Sequence, residues 1–85
     1  MPELSRFYGV VVTMYADDHN PPHFHVEYNG RKALVSIGEG EFIKGSIPKK
    51  EARLVLAWYE LHKDELESNW NKLKLNQGFD KIKPL

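Results

Sequence analysis

Hydrophobic and polar positions change period once along this chain. Arg6 to Tyr15 (Arg-Phe-Tyr-Gly-Val-Val-Val-Thr-Met-Tyr) is β-branched and aromatic on both parities, which predicts a strand buried on both faces near the middle of a sheet. Ala16 to Pro22 carries Asp17, Asp18, Asn20 and two prolines, a loop composition. Alternation then resumes in His23–Tyr28 and Arg31–Ile37, separated by Asn29-Gly30. Asn-Gly between alternating runs marks a type I′ hairpin, because both turn residues need positive φ. A two-residue turn sets the register: Tyr28 faces Arg31, Glu27 faces Lys32, Val26 faces Ala33, His25 faces Leu34, Phe24 faces Val35 and His23 faces Ser36. Opposed residues share a face. One face is therefore Phe24, Val26, Tyr28, Ala33, Val35 and Ile37, all but wholly apolar. The other is His23, His25, Glu27, Lys32, Leu34 and Ser36, mostly polar. Turn chemistry and hydrophobic pattern lead independently to one register.

Gly38 to Glu41 predicts a second turn, and Phe42–Ile47 a shorter strand with Ile43, Gly45 and Ile47 on one parity. The period then lengthens. Ser46 is the expected N-cap, with Pro48 tolerated in the first turn. From about Pro48 to about Leu75, Leu54, Val55, Trp58, Leu61, His62, Leu66, Trp70 and Leu73 recur at helical steps. Such a helix is close to 40 Å long, long for so small a domain, so a break is expected near His62-Lys63-Asp64. Asn76-Gln77-Gly78 ends it. Phe79, Ile82, Pro84 and Leu85 predict a tail that packs back on the body. The fold class is α+β: one domain over residues 1–85, a small antiparallel sheet of about four strands with one long C-terminal helix on its apolar face.

Composition narrows the function. Twelve basic and twelve acidic residues cancel, which argues against a strongly basic nucleic-acid binder and an acidic disordered tail. No run approaches the roughly 18 apolar residues of a membrane span, and the start lacks the pattern of a signal peptide. The absence of cysteine removes disulfides, thiolate metal sites and a Cys nucleophile. A cytoplasmic location is expected. A chain of 85 residues buries roughly 60–65% of its unfolded surface, so a compact core, a bound metal or a partner must support it. A homodimer or a complex with another protein is one expectation from this.

The candidate chemistry lies in Asp17 to Glu27, where three of the four histidines fall within seven residues. His23 and His25 project from one strand face about 7 Å apart. His19 precedes a loop stiffened by two prolines and is expected to fold over them. Two readings follow. In one, His23 and His25 are a general acid and base, His19 a third member, and Glu27 orients an imidazole. In the other, His19, His23 and His25 hold a divalent metal with an open position. A plain interface face is the alternative to both. Lys49, Lys50 and Arg53 at the helix start are candidate phosphate ligands, set against the simpler reading of solvated charges. His62 reads as a core-edge residue, and Trp58 and Trp70 as core.

The sequence resembles the bacterial family known as domain of unknown function 4160. The matching stretches are Ser5-Arg6-Phe7-Tyr8-Gly9, Asp18-His19-Asn20-Pro21-Pro22-His23-Phe24-His25, Gly45-Ser46-Ile47-Pro48, Leu54-Val55-Leu56-Ala57-Trp58, Leu61-His62, Asn69-Trp70 and Ile82-Lys83-Pro84-Leu85. The resemblance implies a small stand-alone protein encoded beside a second one, in the arrangement of a type II toxin–antitoxin module. It implies the toxin role and a small antitoxin-like partner; RNA as the target is the expectation that the paired-histidine chemistry adds. It carries over no catalytic residues.

Overall fold

The structure, a computed structural model, describes residues 2–85. Its elements run β1 (Glu3–Phe7), β2 (Val10–Thr13), β3 (His23–Tyr28), β4 (Arg31–Ser36), β5 (Phe42–Gly45) and α1 (Lys49–Lys74). The strands form one antiparallel sheet in chain order, with β1 and β5 at its edges. The class is α+β, a sheet with one long C-terminal helix.

The β3–β4 hairpin holds the register its turn predicts, from Tyr28 opposite Arg31 to His23 opposite Ser36. Asn29 and Gly30 take φ of 49° and 80°, the conformations a type I′ turn requires. Phe24, Val26, Ala33, Val35 and Ile37 are buried, as their parity demands.

Arg6–Tyr15 is two strands rather than the single central one expected. Tyr8 and Gly9 take φ of 49° and 81°, the chain reverses, and Phe7 pairs with Val10. Phe7, Val10 and Val12 enter the core while Val11 lies on the opposite face. The run is apolar on both parities because it folds on itself. A tyrosine hid the turn, since bulky residues seldom adopt positive φ.

Helix α1 packs on the apolar face, over β3. Fully buried Trp58 anchors it, with its ring 5.4 Å from that of Phe7 and 5.9 Å from that of Phe24. Burying each large apolar side chain contributes about 1.5–3 kcal/mol. The N-cap is Pro48, with no side-chain cap; Ser46, expected there, instead accepts a hydrogen bond from Arg31 at 3.4 Å. The expected break falls on His62, with φ −127° and ψ 21°. A straight helix of 26 residues runs about 39 Å, longer than the 34 Å greatest extent of the molecule, so the bend keeps both halves on the body. At the bend the apolar stripe slips: Leu61, expected in it, is 70% exposed, and burial resumes at Leu66, Trp70 and Leu73.

The tail packs back as expected. The Trp58 indole N–H donates to the Lys83 carbonyl at 2.9 Å, and Ile82 N–H donates to the Leu4 carbonyl at 2.8 Å on the outer edge of β1. Buried Asn69 donates to the Asp80 carbonyl at 2.9 Å and accepts from its amide at 2.7 Å, satisfying its side chain. Among the described residues, no helix is long and apolar enough to cross a membrane.

The Tyr8 turn generates a prediction. Asparagine tolerates positive φ far better than tyrosine, and Tyr8 is exposed. Tyr8→Asn should therefore raise unfolding free energy by about 0.5–1 kcal/mol, read as a higher urea midpoint with an unchanged m-value. A lowered midpoint would mean that the ring, not the backbone, is what matters there.

Candidate functional site

Alternation along β3 puts His23, His25 and Glu27 on the face opposite the core-facing Phe24 and Val26. The chain leaving β2 makes a tight turn, with the Asp18 amide donating to the Tyr15 carbonyl at 3.4 Å. That turn brings the Asp18 carboxylate back over the start of β3. The Ile37 amide donates to the Pro22 carbonyl at 3.0 Å, so the Pro21-Pro22 segment is tied to the strand end on its other side.

Three side chains meet there. Asp18 Oδ2 lies 2.9 Å from His25 Nε2 and 3.3 Å from His23 Nε2. One ligand atom from each of Asp18, His23 and His25 lies within 4.8 Å of the others. His23 Nδ1 is 2.8 Å from the Pro21 carbonyl. A carbonyl only accepts, so that nitrogen carries the proton. Nε2 of a neutral His23 is then a bare lone pair facing a carboxylate oxygen. Two electron-rich atoms at that separation repel unless a proton or a cation lies between them.

The walls differ in character. The Trp70 ring stands 5.4 Å from that of His23, whose side chain is only 9% exposed. Tyr15 meets His25 edge-on at 4.6 Å, yet His25 is 31% exposed and opens onto the uncovered sheet face. The cluster is thus closed behind His23 and open before His25. A cleft of about 690 Å³ beside His25 is lined by Glu3, Arg6, Thr13, Tyr15, Glu27 and Lys32 among others. At its rim the Arg6 guanidinium, hydrogen-bonded to Glu3 at 2.8 Å, holds the Glu3 carboxyl below the usual carboxylate range, and Glu3 in turn raises Arg6.

The structure brings together some of the expected site residues and separates others. His23 and His25 meet. His19 is exposed and stands outside the cluster; its neighbour Asp18 fills the third position, because the turn at Tyr15–Asp18 aims the aspartate at the sheet. Glu27 lines the cleft with His25, but the hydrogen bond to an imidazole belongs to Asp18. Lys49, Lys50 and Arg53 are exposed at the start of α1. The end of the helix is what reaches the site, through Trp70 and through Lys74, whose ammonium donates to the Ala16 carbonyl at 3.3 Å. About 30 Å of helical path separates Lys50 from Trp70. Sequence reasoning missed Asp18 as a member, although its position one residue before His19 in a turn-rich loop was a signal for it.

A family model described as a domain of unknown function, DUF4160, matches residues 9–71, and the chain belongs to that family. The matched region contains the whole cluster and Trp70. No curated protein and no solved structure matches the chain.

The geometry fixes tautomers. In metal-free protein, nitrogen-15 correlation spectra of the neutral rings should show His23 protonated on Nδ1 and His25 protonated on Nε2, the latter donating to Asp18. A neutral His23 with its proton on Nε2 would remove the lone pair from the cluster and contradict the geometry.

Proposed function

We propose that the protein is a metal-binding domain whose Asp18 Oδ2, His23 Nε2 and His25 Nε2 hold one divalent transition-metal ion. The observation that carries this reading is the hydrogen bond from His23 Nδ1 to the Pro21 carbonyl. A metal-ligating histidine characteristically donates its other ring N–H to a carbonyl or carboxylate, which orients the ring and aims the free nitrogen at the ion. Two imidazoles and a carboxylate are borderline ligands suited to zinc, iron(II) or manganese. Three protein ligands with one open side are the arrangement of a reactive centre rather than a closed structural one.

Burial weighs against the metal-free alternative. A general acid or base must touch the atom it serves, and His23 is covered by Trp70 and the Pro21-Pro22 segment. A metal ligand needs no such access. The same burial helps the metal, since a low-dielectric wall strengthens its bonds to charged groups.

On the resemblance we propose the toxin component of a two-gene module, held by a small antitoxin-like partner; composition adds a cytoplasmic location, and the chemistry of the cluster adds RNA as its target. The bound ion would supply Lewis acidity at a phosphoryl oxygen, and this chain's residues would hold and orient the phosphate.

Two measurements test the reading. Protein purified without a histidine tag and dialysed should retain near one equivalent of metal. Asp18→Ala and His25→Ala should each weaken binding beyond the roughly 10–100-fold typical of outer-shell substitutions, while His19→Ala leaves it intact. Metal-free wild type that also fails to take up added zinc, iron(II) or manganese would refute the site. In cells, induced wild type and His19→Ala should arrest growth and Asp18→Ala should not. Arrest by all three would detach toxicity from the cluster.

A further inference from the structure

The uncovered sheet face places cations beside the open side of the cluster, and they differ in how they are engaged. Pairing registers set Glu3, Thr13, His25, Leu34 and Lys44 in one row across five strands. A second row runs Arg6, Val11, Glu27, Lys32. Arg6 is held by Glu3 at 2.8 Å. Lys32 and Lys44, among the described residues, make no salt bridge.

These two lysines flank a groove of about 350 Å³ whose walls are His25, Lys32, Ala33, Leu34, Lys44 and Gly45. No carboxylate lines it. Glu27 stands directly opposite Lys32 in the register and lines the neighbouring cleft together with Glu3, His25 and Lys32 itself, so Lys32 borders both spaces. Lys44 lies two strands from His25, about 10 Å between backbones at the usual strand spacing, and Lys32 is its diagonal neighbour at about 7–8 Å. Both lysines thus line one groove with His25, on stems flexible enough to place their ammonium groups at several points in it.

We infer that the ligand of this centre is a phosphate group, bound with one oxygen on the metal and others on Lys32 and Lys44. The inference rests on the metal reading above. A divalent ion and two ammonium groups outweigh the carboxylates of Asp18 and of Glu27, which faces Lys32, so the site favours an anion of more than one charge over a simple carboxylate. Ammonium groups serve phosphate as point charges and need no bidentate geometry. The groove, not the basic start of α1, is therefore where phosphate enters, and a free phosphate ester and a nucleic-acid backbone present the same chemistry to it.

The test uses manganese-loaded protein, with manganese affinity measured first by chelator competition. Inorganic phosphate and a short single-stranded RNA are then titrated in separate arms, with binding read from the manganese paramagnetic resonance and water relaxation. Both lysines are exposed, so their substitution leaves the core alone. The double variant K32Q/K44Q should bind phosphate at least about tenfold more weakly, as loss of charge-assisted hydrogen bonds implies, with manganese affinity within about twofold of wild type. K32R/K44R should restore binding. RNA that competes with phosphate in wild type and fails in K32Q/K44Q identifies the backbone as source; phosphate binding alone identifies a small ester. Manganese uptake without phosphate binding, or equal phosphate affinity in K32Q/K44Q, overturns this inference and leaves the metal site standing. No manganese uptake by wild type overturns both.

Discussion

A two-residue turn at Asn29-Gly30 fixes which side of the sheet each side chain of β3 and β4 occupies. Because side chains alternate, a slip of one residue would send Phe24 and Val26 to solvent and carry His23 and His25 into the core. The turn, the packing of Phe24 against Trp58 and the burial of Val26 enforce the same register. The histidines owe their shared face to that constraint. Their chemistry is a consequence of core packing on the other side of the same strand.

The helix then makes the face asymmetric. Bent at His62, it keeps its second half against the body, where Trp70 reaches the ring of His23 at the strand end. Further along β3, His25 meets Tyr15 edge-on and remains 31% exposed. One imidazole is thereby buried and oriented while the next remains accessible. The Asp18 carboxylate touches both and is half-buried between them. Buried, hydrogen-bonded polar clusters of this kind cost desolvation unless every lone pair finds a proton or a cation. The lone pair of a neutral His23 Nε2 faces the Asp18 carboxylate instead, and a proton or a bound ion between them would remove that electrostatic deficit.

Legibility in the sequence followed the reach of the rule applied. The β3–β4 register was readable to the residue because turn chemistry and alternation are local and mutually checking. The helix, its bend and the returning tail were readable from period, length and the punctuating apolar residues. The β1–β2 turn was not, because Tyr8 occupies a conformation its side chain disfavours and only Gly9 signalled it. Leu61 was misplaced because the stripe is computed for a straight helix, whereas the bend rotates one half against the other. Within the site, His23 and His25 followed from parity alone. The choice of Asp18 over His19 depended on the direction of a loop turn, which no periodicity encodes. The remoteness of Lys49, Lys50 and Arg53 depended on which end of the helix meets the histidines, a tertiary fact.

The central claim is that three named atoms share one metal ion. Anomalous diffraction from crystals grown with zinc measures this directly. The account predicts one strong peak bonded to Asp18 Oδ2, His23 Nε2 and His25 Nε2 at about 2.0–2.2 Å, with His23 Nδ1 still on the Pro21 carbonyl. A peak on His19 instead, or zinc scattered over surface sites with the cluster empty, would contradict it.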